Sequence, residues 1–363
     1  MLKNIVFVLI TILVFFLLLE GIFRLIYPFW YKKHEKEILE EETNFYKRDP
    51  VLGWTLTPDF EGERDIHSKK YYYKTNSLGI RDKDYPFKKP ESVYRIICLG
   101  DSITEEGLSN EAAYPKLLEK KINAGFSLDR RAEVINAGIV DYGIEQEYLF
   151  LKERGLNYKP DMVILGYFLN DGRGFVPSKA IFLKGFKNIL GKSRFLYMLD
   201  KMIMKYRIKY QYKIWEKDRE QLWRPVFNAE DWRNDKKVRY KLIELSKKDW
   251  GLAWTQKGWE RTEYFLNKIS TLSKSKNFKF VVLAFPITLQ LYADASDSYM
   301  FLPQERLSQY CRDNKIILID LLPYVKKYKE EGVFYDHCHH TPFGLELISQ
   351  ALYDSIKDEI SEE

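Results

Sequence analysis

Residues 94–104 read Tyr94-Arg95-Ile96-Ile97-Cys98-Leu99-Gly100-Asp101-Ser102-Ile103-Thr104, a short apolar run that stops at a glycine and turns polar. A run of this length bounded by turn residues is the pattern of a buried strand. Outward from it the chain alternates: a helical period over 114–124, an apolar run at Glu133–Ile135, a helical period over 144–155 and a third apolar run at Met162–Tyr167. Strand, helix, strand, helix, strand with short links is the signature of a parallel sheet with helices on its faces. The pattern resumes later with a helix at 259–274, a strand at Phe278–Phe285, a helix near 303–313, a strand at Ile316–Asp320 and a closing helix over 344–356. A five-stranded α/β domain over 91–358 is therefore predicted.

The whole chain has 363 residues, 45% hydrophobic and 30% charged, with 13 Pro and 19 Gly, which excludes disordered, collagen-like and low-complexity classes. A net charge of +6 is too small to argue for nucleic acid as a partner, and none is expected. Aromatic residues reach 16%, which suits surfaces that meet sugars, lipid headgroups or other proteins. Cys98, Cys311 and Cys338 are too few and too scattered for a disulfide framework or a four-thiolate metal site.

Ile5 to Leu19, IVFVLITILVFFLLL, carries no charge, and apolar character continues to Tyr27, interrupted by Glu20 and Arg24. At ~1.5 Å per residue, the run to Ile26 crosses a ~30 Å hydrocarbon core. The residues after it, Leu18-Leu19-Glu20-Gly21-Ile22-Phe23-Arg24, lack the small-residue pattern of a cleaved signal peptide. Residues 1–31 thus read as an uncleaved single-pass anchor. Glu20 and Arg24 can pair at the membrane edge, and Tyr27, Phe29, Trp30 and Tyr31 form an interfacial aromatic cluster. Counting the flanking positive charges would put the bulk of the chain in the cytoplasm; the form of a secretory signal-anchor puts it outside, and the extracytoplasmic placement is the expectation. Residues 32–49 are charged and helix-prone, a stalk, and the Pro- and Gly-punctuated leader over 50–90 is expected to hold irregular structure and short strands.

Residues 172–258 are too long for a plain connection and are expected to form a helical insertion. Within 179–217 the positives run to Lys179, Lys184, Lys187, Lys192, Arg194, Lys201, Lys205, Arg207, Lys209, Lys213 and Lys217, interleaved with aromatics, against Asp200 and Glu216. Two readings stand: a solvated helical lid on the α/β core, and a membrane-surface patch.

Chemistry sits at four places. Gly100-Asp101-Ser102 follows the first strand, where open α/β sheets bind ligands and a serine hydroxyl would face the crevice; a plain capped turn is the alternative. Asn136-Ala137-Gly138 follows the second, and Asn170-Asp171 ends the third, where an Asn side chain can aim at a developing oxyanion or simply form an Asx turn. The last is Asp336-His337-Cys338-His339-His340, holding three of the five histidines. Asp336 and His339, three apart, can share one tight turn in which the carboxylate holds one imidazole nitrogen and the other faces a serine. Zinc has the right donor types there, yet adjacent residues cannot all converge on one tetrahedral ion.

Together these blocks resemble the SGNH, or GDSL, hydrolase family. Gly100–Thr104 is similar to its serine block, Gly138 to its glycine block, Asn170-Asp171 to its asparagine block, and Asp336-x-x-His339 with Thr341, Pro342 and Gly344 to its histidine block. Asp49–Trp54 and Asn76–Arg81 also look like the leader of membrane-anchored bacterial members. The resemblance implies a flavodoxin-like three-layer α/β/α sandwich with Ser102 as nucleophile, His339 as general base and Asp336 as its orienter. It implies an oxyanion hole of the Ser102 and Gly138 amides and the Asn170 side chain, with Asp101 and Asp171 in support and no metal or cofactor. His337 and His340 have no assigned role. The expected activity is hydrolysis of an ester, O-acetyl or O-acyl on an envelope carbohydrate. The alternatives are an O-acyltransferase with the same triad, a non-catalytic glycan-binding assembly protein, and a lipase or lysophospholipase.

Overall fold

A computed structural model describes residues 2–43, 45–49, 51–66, 69–125, 131–174, 193–199, 202 and 219–361. It divides into two compact units, Met1–Trp54 with Val176–Glu216, and Thr55–Phe175 with Lys217–Glu363.

In the first unit, helix α1 (Leu2–Thr43) runs unbroken for 42 residues through Pro28. Lys3–Lys33 is, among the described residues, the one stretch long and apolar enough to cross a membrane. The expected anchor runs on into the first part of the expected stalk as one helix, because residues 32–43 are mostly Lys, Glu, Ile and Leu, which propagate a helix once started, whereas the end of that stalk, Tyr46–Asp49, is a strand. Arg24 Nε meets Glu20 Oε1 at 2.8 Å, as their spacing predicts. Residues 194–199 form a short helix along α1. The Phe195 ring lies 5.8 Å from Phe16 and 4.9 Å from Phe23, and Tyr197 lies 5.8 Å from Tyr27 and 6.5 Å from Trp30. Of the basic segment over 179–217, residues 193–199 pack on α1, where their aromatic rings find partners. The rest of that basic segment, apart from residue 202, lies outside the described residues. After α1, β1 (Tyr46–Asp49) ends in a turn in which Asp49 Oδ1 accepts the amides of Val51 and Leu52. The chain then enters β2 (Gly53–Leu56).

The second unit carries the leader's hairpin, β3 (Glu61–Ile66) antiparallel to β4 (Lys69–Lys74), with the Tyr71–Tyr73 run on β4. The main sheet is parallel and five-stranded: β5 (Val93–Gly100), β6 (Arg131–Gly138), β7 (Met162–Tyr167), β8 (Lys279–Ala284) and β9 (Ile317–Asp320), in the order β6-β5-β7-β8-β9. This is the flavodoxin-like arrangement, with its switch point where β5 lies between β6 and β7. All residues of β5 and β7 are buried, as expected of strands covered on both faces. The second strand exceeds the apolar run that announced it because β6 pairs with β5 along its whole length, from Val93↔Arg131 to Gly100↔Gly138.

Behind the first strand come α2 (Ser102–Glu105) and α3 (Tyr114–Gly125), then α4 (Ile144–Glu153) after β6. The insertion within this unit is helical as predicted: a π-turn at Arg219–Trp223, a helix at Arg224–Ala229 and α5 (Lys236–Leu245). It is followed by α6 (Gln256–Lys276), α7 (Ser298–Asn314) and α8 (Pro342–Ser361). The helix α3 packs on α8, and α4 on α6. Right-handed crossovers from an order that reverses at β5 put these two pairs on opposite faces, giving three layers.

Candidate active site

Three loops leave the carboxyl ends of β5, β6 and β7 around the switch point, so Ser102, Gly138 and Asn170 start from neighbouring strand ends. The first turn is sharp because Gly100 leaves room: a Cβ there would stand 2.0 Å from Thr104 Oγ1. Asp101 caps α2, its Oδ1 accepting the Ile103 amide at 2.9 Å. Its Oδ2 accepts from Asn170 Nδ2 at 3.3 Å, tying the serine turn to the asparagine loop. Burial pushes the Asp101 carboxyl up to about 6 against the pull of these bonds.

His339 arrives from 237 residues further along the chain and sets Nε2 2.9 Å from Ser102 Oγ. On its other side Nδ1 lies 2.8 Å from Asp336 Oδ2. An imidazole whose Nδ1–H is held by a carboxylate leaves Nε2 as acceptor, the tautomer that can take a serine proton. The turn is fixed by Asp336 Oδ1, which accepts the amides of Cys338 at 2.9 Å and His339 at 2.8 Å. Burial alone would raise the Asp336 carboxyl, but the His339 bond, the charges of His339 and His337 and the Cys338 amide hold it far below the usual carboxylate range. The carboxylate, the Cys338 sulfur and an imidazole nitrogen all lie within 4.8 Å of one another. They do not make a good zinc site: burial keeps the Cys338 thiol protonated, and Asp336 and His339 are occupied with each other. All three cysteines are free and buried.

The proposed hole donors stand differently. Ser102 N–H opens α2 and takes no partner among the described residues, an anion-accepting position. Asn170 uses one amide hydrogen on Asp101 and keeps the other. The Gly138 amide, however, donates to Asn136 Oδ1 at 3.0 Å. What this glycine demonstrably provides is space, since a Cβ would stand 2.5 Å from Glu105 N and 2.7 Å from Thr104 C. In the same loop the Val140 amide donates to Glu105 Oε2 at 2.6 Å, while Asp141, at φ 63°, has an N–H without a partner among the described residues. Asp171 lies behind the hole, its Oδ2 accepting the Phe168 amide at 3.1 Å.

Sequence reasoning left two histidines unassigned, and both are core groups. His337 sits among Trp223, Phe227 and Trp250, with ring centroids 4.7, 6.2 and 6.4 Å away. His340 Nδ1 is 2.9 Å from Glu106 Oε1, and the His340 amide donates to the same carboxyl at 3.1 Å. Burial lowers both imidazoles to about 3 and raises Glu106 well above its usual value, so these groups favour their uncharged forms.

Sequence reasoning also missed Arg81, which matched only as part of a leader. Its guanidinium is fully buried and donates to the carbonyls of Glu105 at 2.8 Å, Tyr72 at 2.7 Å and Gly107 at 2.8 Å, and to Asn110 Oδ1 at 3.2 Å. It thereby fastens the exit of the serine helix to the hairpin. Its neighbour Asp82 accepts the Asn136 amide at 2.8 Å, reaching the end of β6. The only sequence signal was the alternating charges Arg81-Asp82-Lys83-Asp84 at the end of a turn-like stretch from Asn76.

No family model matches the chain, and no curated protein matches it. Among solved structures it is similar to an acetyl xylan esterase at 17% identity, over 72% of this chain and 99% of that one, with a TM-score of 0.42. It is also similar to an acetylxylan esterase from Geobacillus stearothermophilus at 11% identity, over 72% and 94%, with a TM-score of 0.42. A lipase/acylhydrolase from Enterococcus faecalis matches at 15% identity, over 73% and 96%, with a TM-score of 0.41.

Proposed function

We propose that the chain is a membrane-anchored serine esterase of SGNH type that removes acyl groups from a carbohydrate. The observation that carries this is the continuous line from Ser102 Oγ through the His339 ring to Asp336 Oδ2, with steps of 2.9 and 2.8 Å. His339 Nε2 takes the Ser102 proton as Oγ attacks the ester carbonyl, and the carboxylate beside Nδ1 stabilises the imidazolium that forms. The oxyanion meets the Ser102 amide and the free hydrogen of Asn170; the Gly138 amide joins only by leaving Asn136 Oδ1. His339 then returns its proton to the departing alcohol, and water, activated in the same way, releases the acid.

A sugar ester suits the rim. Tyr335, 40% exposed, precedes Asp336, and its amide donates to the His339 carbonyl at 2.7 Å. An exposed aromatic face on the turn that carries Asp336 and His339 offers a stacking surface for a pyranose. The apolar length of Lys3–Lys33 supports the anchor.

The test is labelling of the full-length chain in detergent with a fluorophosphonate, together with turnover of p-nitrophenyl acetate, beside Ser102→Ala and His339→Ala. Labelling and turnover lost in both variants are expected. Full turnover in Ser102→Ala would refute the assignment. With acetylated xylan and a free sugar acceptor present, release of acetate rather than its transfer separates hydrolysis from acyl transfer.

A further inference from the structure

We propose that residues 193–199 are a second membrane-inserted element, seated in the acyl-chain region and fastened there by Glu20 of the anchor helix. This rests on the anchor reading above and adds to it. If Ile5–Ile26 fills the hydrocarbon core, Glu20 lies six residues, about 9 Å, inside its edge, and Phe16 lies about 15 Å inside. Phe195 stacks edge-on against both Phe16 and Phe23, so it must sit at that depth.

A helix that starts inside lipid faces a specific difficulty: its first amides have no carbonyl partner and no water. Here each is satisfied. The Arg194 amide donates to Glu20 Oε1 at 3.0 Å and the Phe195 amide to Glu20 Oε2 at 3.2 Å. The Leu196 amide donates to Ser193 Oγ at 3.1 Å, and the Tyr197 amide to the Ser193 carbonyl at 3.1 Å. Ser193 Oγ in turn donates to Glu20 Oε2 at 2.6 Å.

The same contacts explain why an apolar helix carries a carboxylate. Intramembrane acids are tolerated when paired, and Glu20 has Arg24 Nε at 2.8 Å besides its three donors from 193–195. Arg194 lies over the Tyr27 ring at 4.2 Å, one turn nearer the headgroups. On the outer side Leu25, Phe29, Leu199 and Met202 remain exposed, apolar surface that lipid chains would cover.

The full chain is reconstituted into liposomes with an environment-sensitive fluorophore on Leu199→Cys, and separately on Phe15→Cys as the anchor reference. The unsubstituted chain, whose three thiols are buried, sets the labelling background. Lipid-borne doxyl quenchers are expected to quench both positions, with aqueous iodide reaching neither. Adding Glu20→Leu should expose position 199 to iodide and abolish its doxyl quenching, with position 15 and ester hydrolysis unchanged. Iodide access at 199 in the parent chain, with 15 still in lipid, would overturn the proposal and leave the anchor standing. Iodide access at both positions would overturn the anchor and the proposal together. Glu20→Leu leaving 199 in lipid would overturn the fastening role.

Discussion

Arg81 offers the severest test of how the nucleophile is held. Arg81→Met keeps much of the side-chain volume but removes every donor, leaving the Glu105, Tyr72 and Gly107 carbonyls and Asn110 Oδ1 without their partner. A buried acceptor left unpaired costs about 1–3 kcal/mol, and breaking a buried charged network about 3–5 kcal/mol in all, since some groups recover water or a new partner. A loss of about 4 kcal/mol is expected, which lowers Tm by about 10 °C for a unit of this size. Stacking of the guanidinium on Tyr73, 3.9 Å from the ring centroid, is lost as well. The rate should suffer separately, because Glu105 both receives Arg81 at its carbonyl and holds the Val140 amide with its carboxyl. Misplacing a reacting group by about 1 Å costs on the order of 10²-fold, so kcat/KM on p-nitrophenyl acetate should fall about that far below the melting range. Arg81→Lys should recover part of the stability, having one charge but no fork. Thermal unfolding and steady-state hydrolysis of the full chain in detergent measure both. If Arg81→Met melts within about 2 °C of the parent and turns over within about twofold, the leader does not buttress the site and the reasoning fails.

Three further outcomes are expected. Asn170→Ala should lower kcat by about 10²–10³ while Ser102 still displaces fluoride from a fluorophosphonate to give the phosphonyl-enzyme, measured by stopped-flow hydrolysis and mass spectrometry. Gly138→Ala should destabilise and inactivate through the clash with Glu105 N, and a crystal structure showing α2 unmoved would contradict it. His337→Phe should flatten the acid side of the stability profile. The folded imidazole titrates at about 3 against an ordinary 6.5, so native stability is lost as pH falls below 6.5, and the variant lacks that loss. Between pH 7 and 5 the urea midpoints should converge by about 2 kcal/mol of unfolding free energy; parallel profiles would show His337 already charged or exposed.

The sheet was legible because its strands are buried on both faces and therefore read as continuous apolar runs, and the serine, asparagine and histidine blocks stand at strand or helix ends where no other constraint selects them. Boundaries were less so: only Val134 and Ile135 of β6 are strongly apolar, and the remainder is strand because β5 pairs with it. The supporting groups were illegible for a different reason. Arg81 meets Glu105 and Gly107 across 24 and 26 residues, and Glu20 meets Ser193 across 173. No local pattern announces such pairs, since Arg81 and Glu20 alone look like ordinary charged residues and their partners are backbone carbonyls or a serine hydroxyl. The Gly138 amide shows the limit from the other side: motif position says that a backbone N–H is there, and only geometry says that Asn136 has engaged it.

The acids behind Asn170 complete the electrostatics. Asp101, Glu147 and Asp171 are all buried, and both Glu147 oxygens and Asp171 Oδ1 lack a hydrogen-bond partner among the described residues. Three carboxylates there would oppose the negative charge that develops on the substrate oxygen in front of the same asparagine. Burial first, and then the charges of Asp171 and Asp101, drive Glu147 well above the usual range; burial and Asp101 do the same to Asp171. Favouring their uncharged forms, these two groups would take little from the field of the proposed hole. Asp101 at about 6 is the one close to neutrality, and it is also the one whose oxygen is hydrogen-bonded to Asn170. Its charge therefore falls on the residue best placed to orient the amide, while Glu147 and Asp171, the latter with only the Phe168 amide on its carboxyl, favour their uncharged forms.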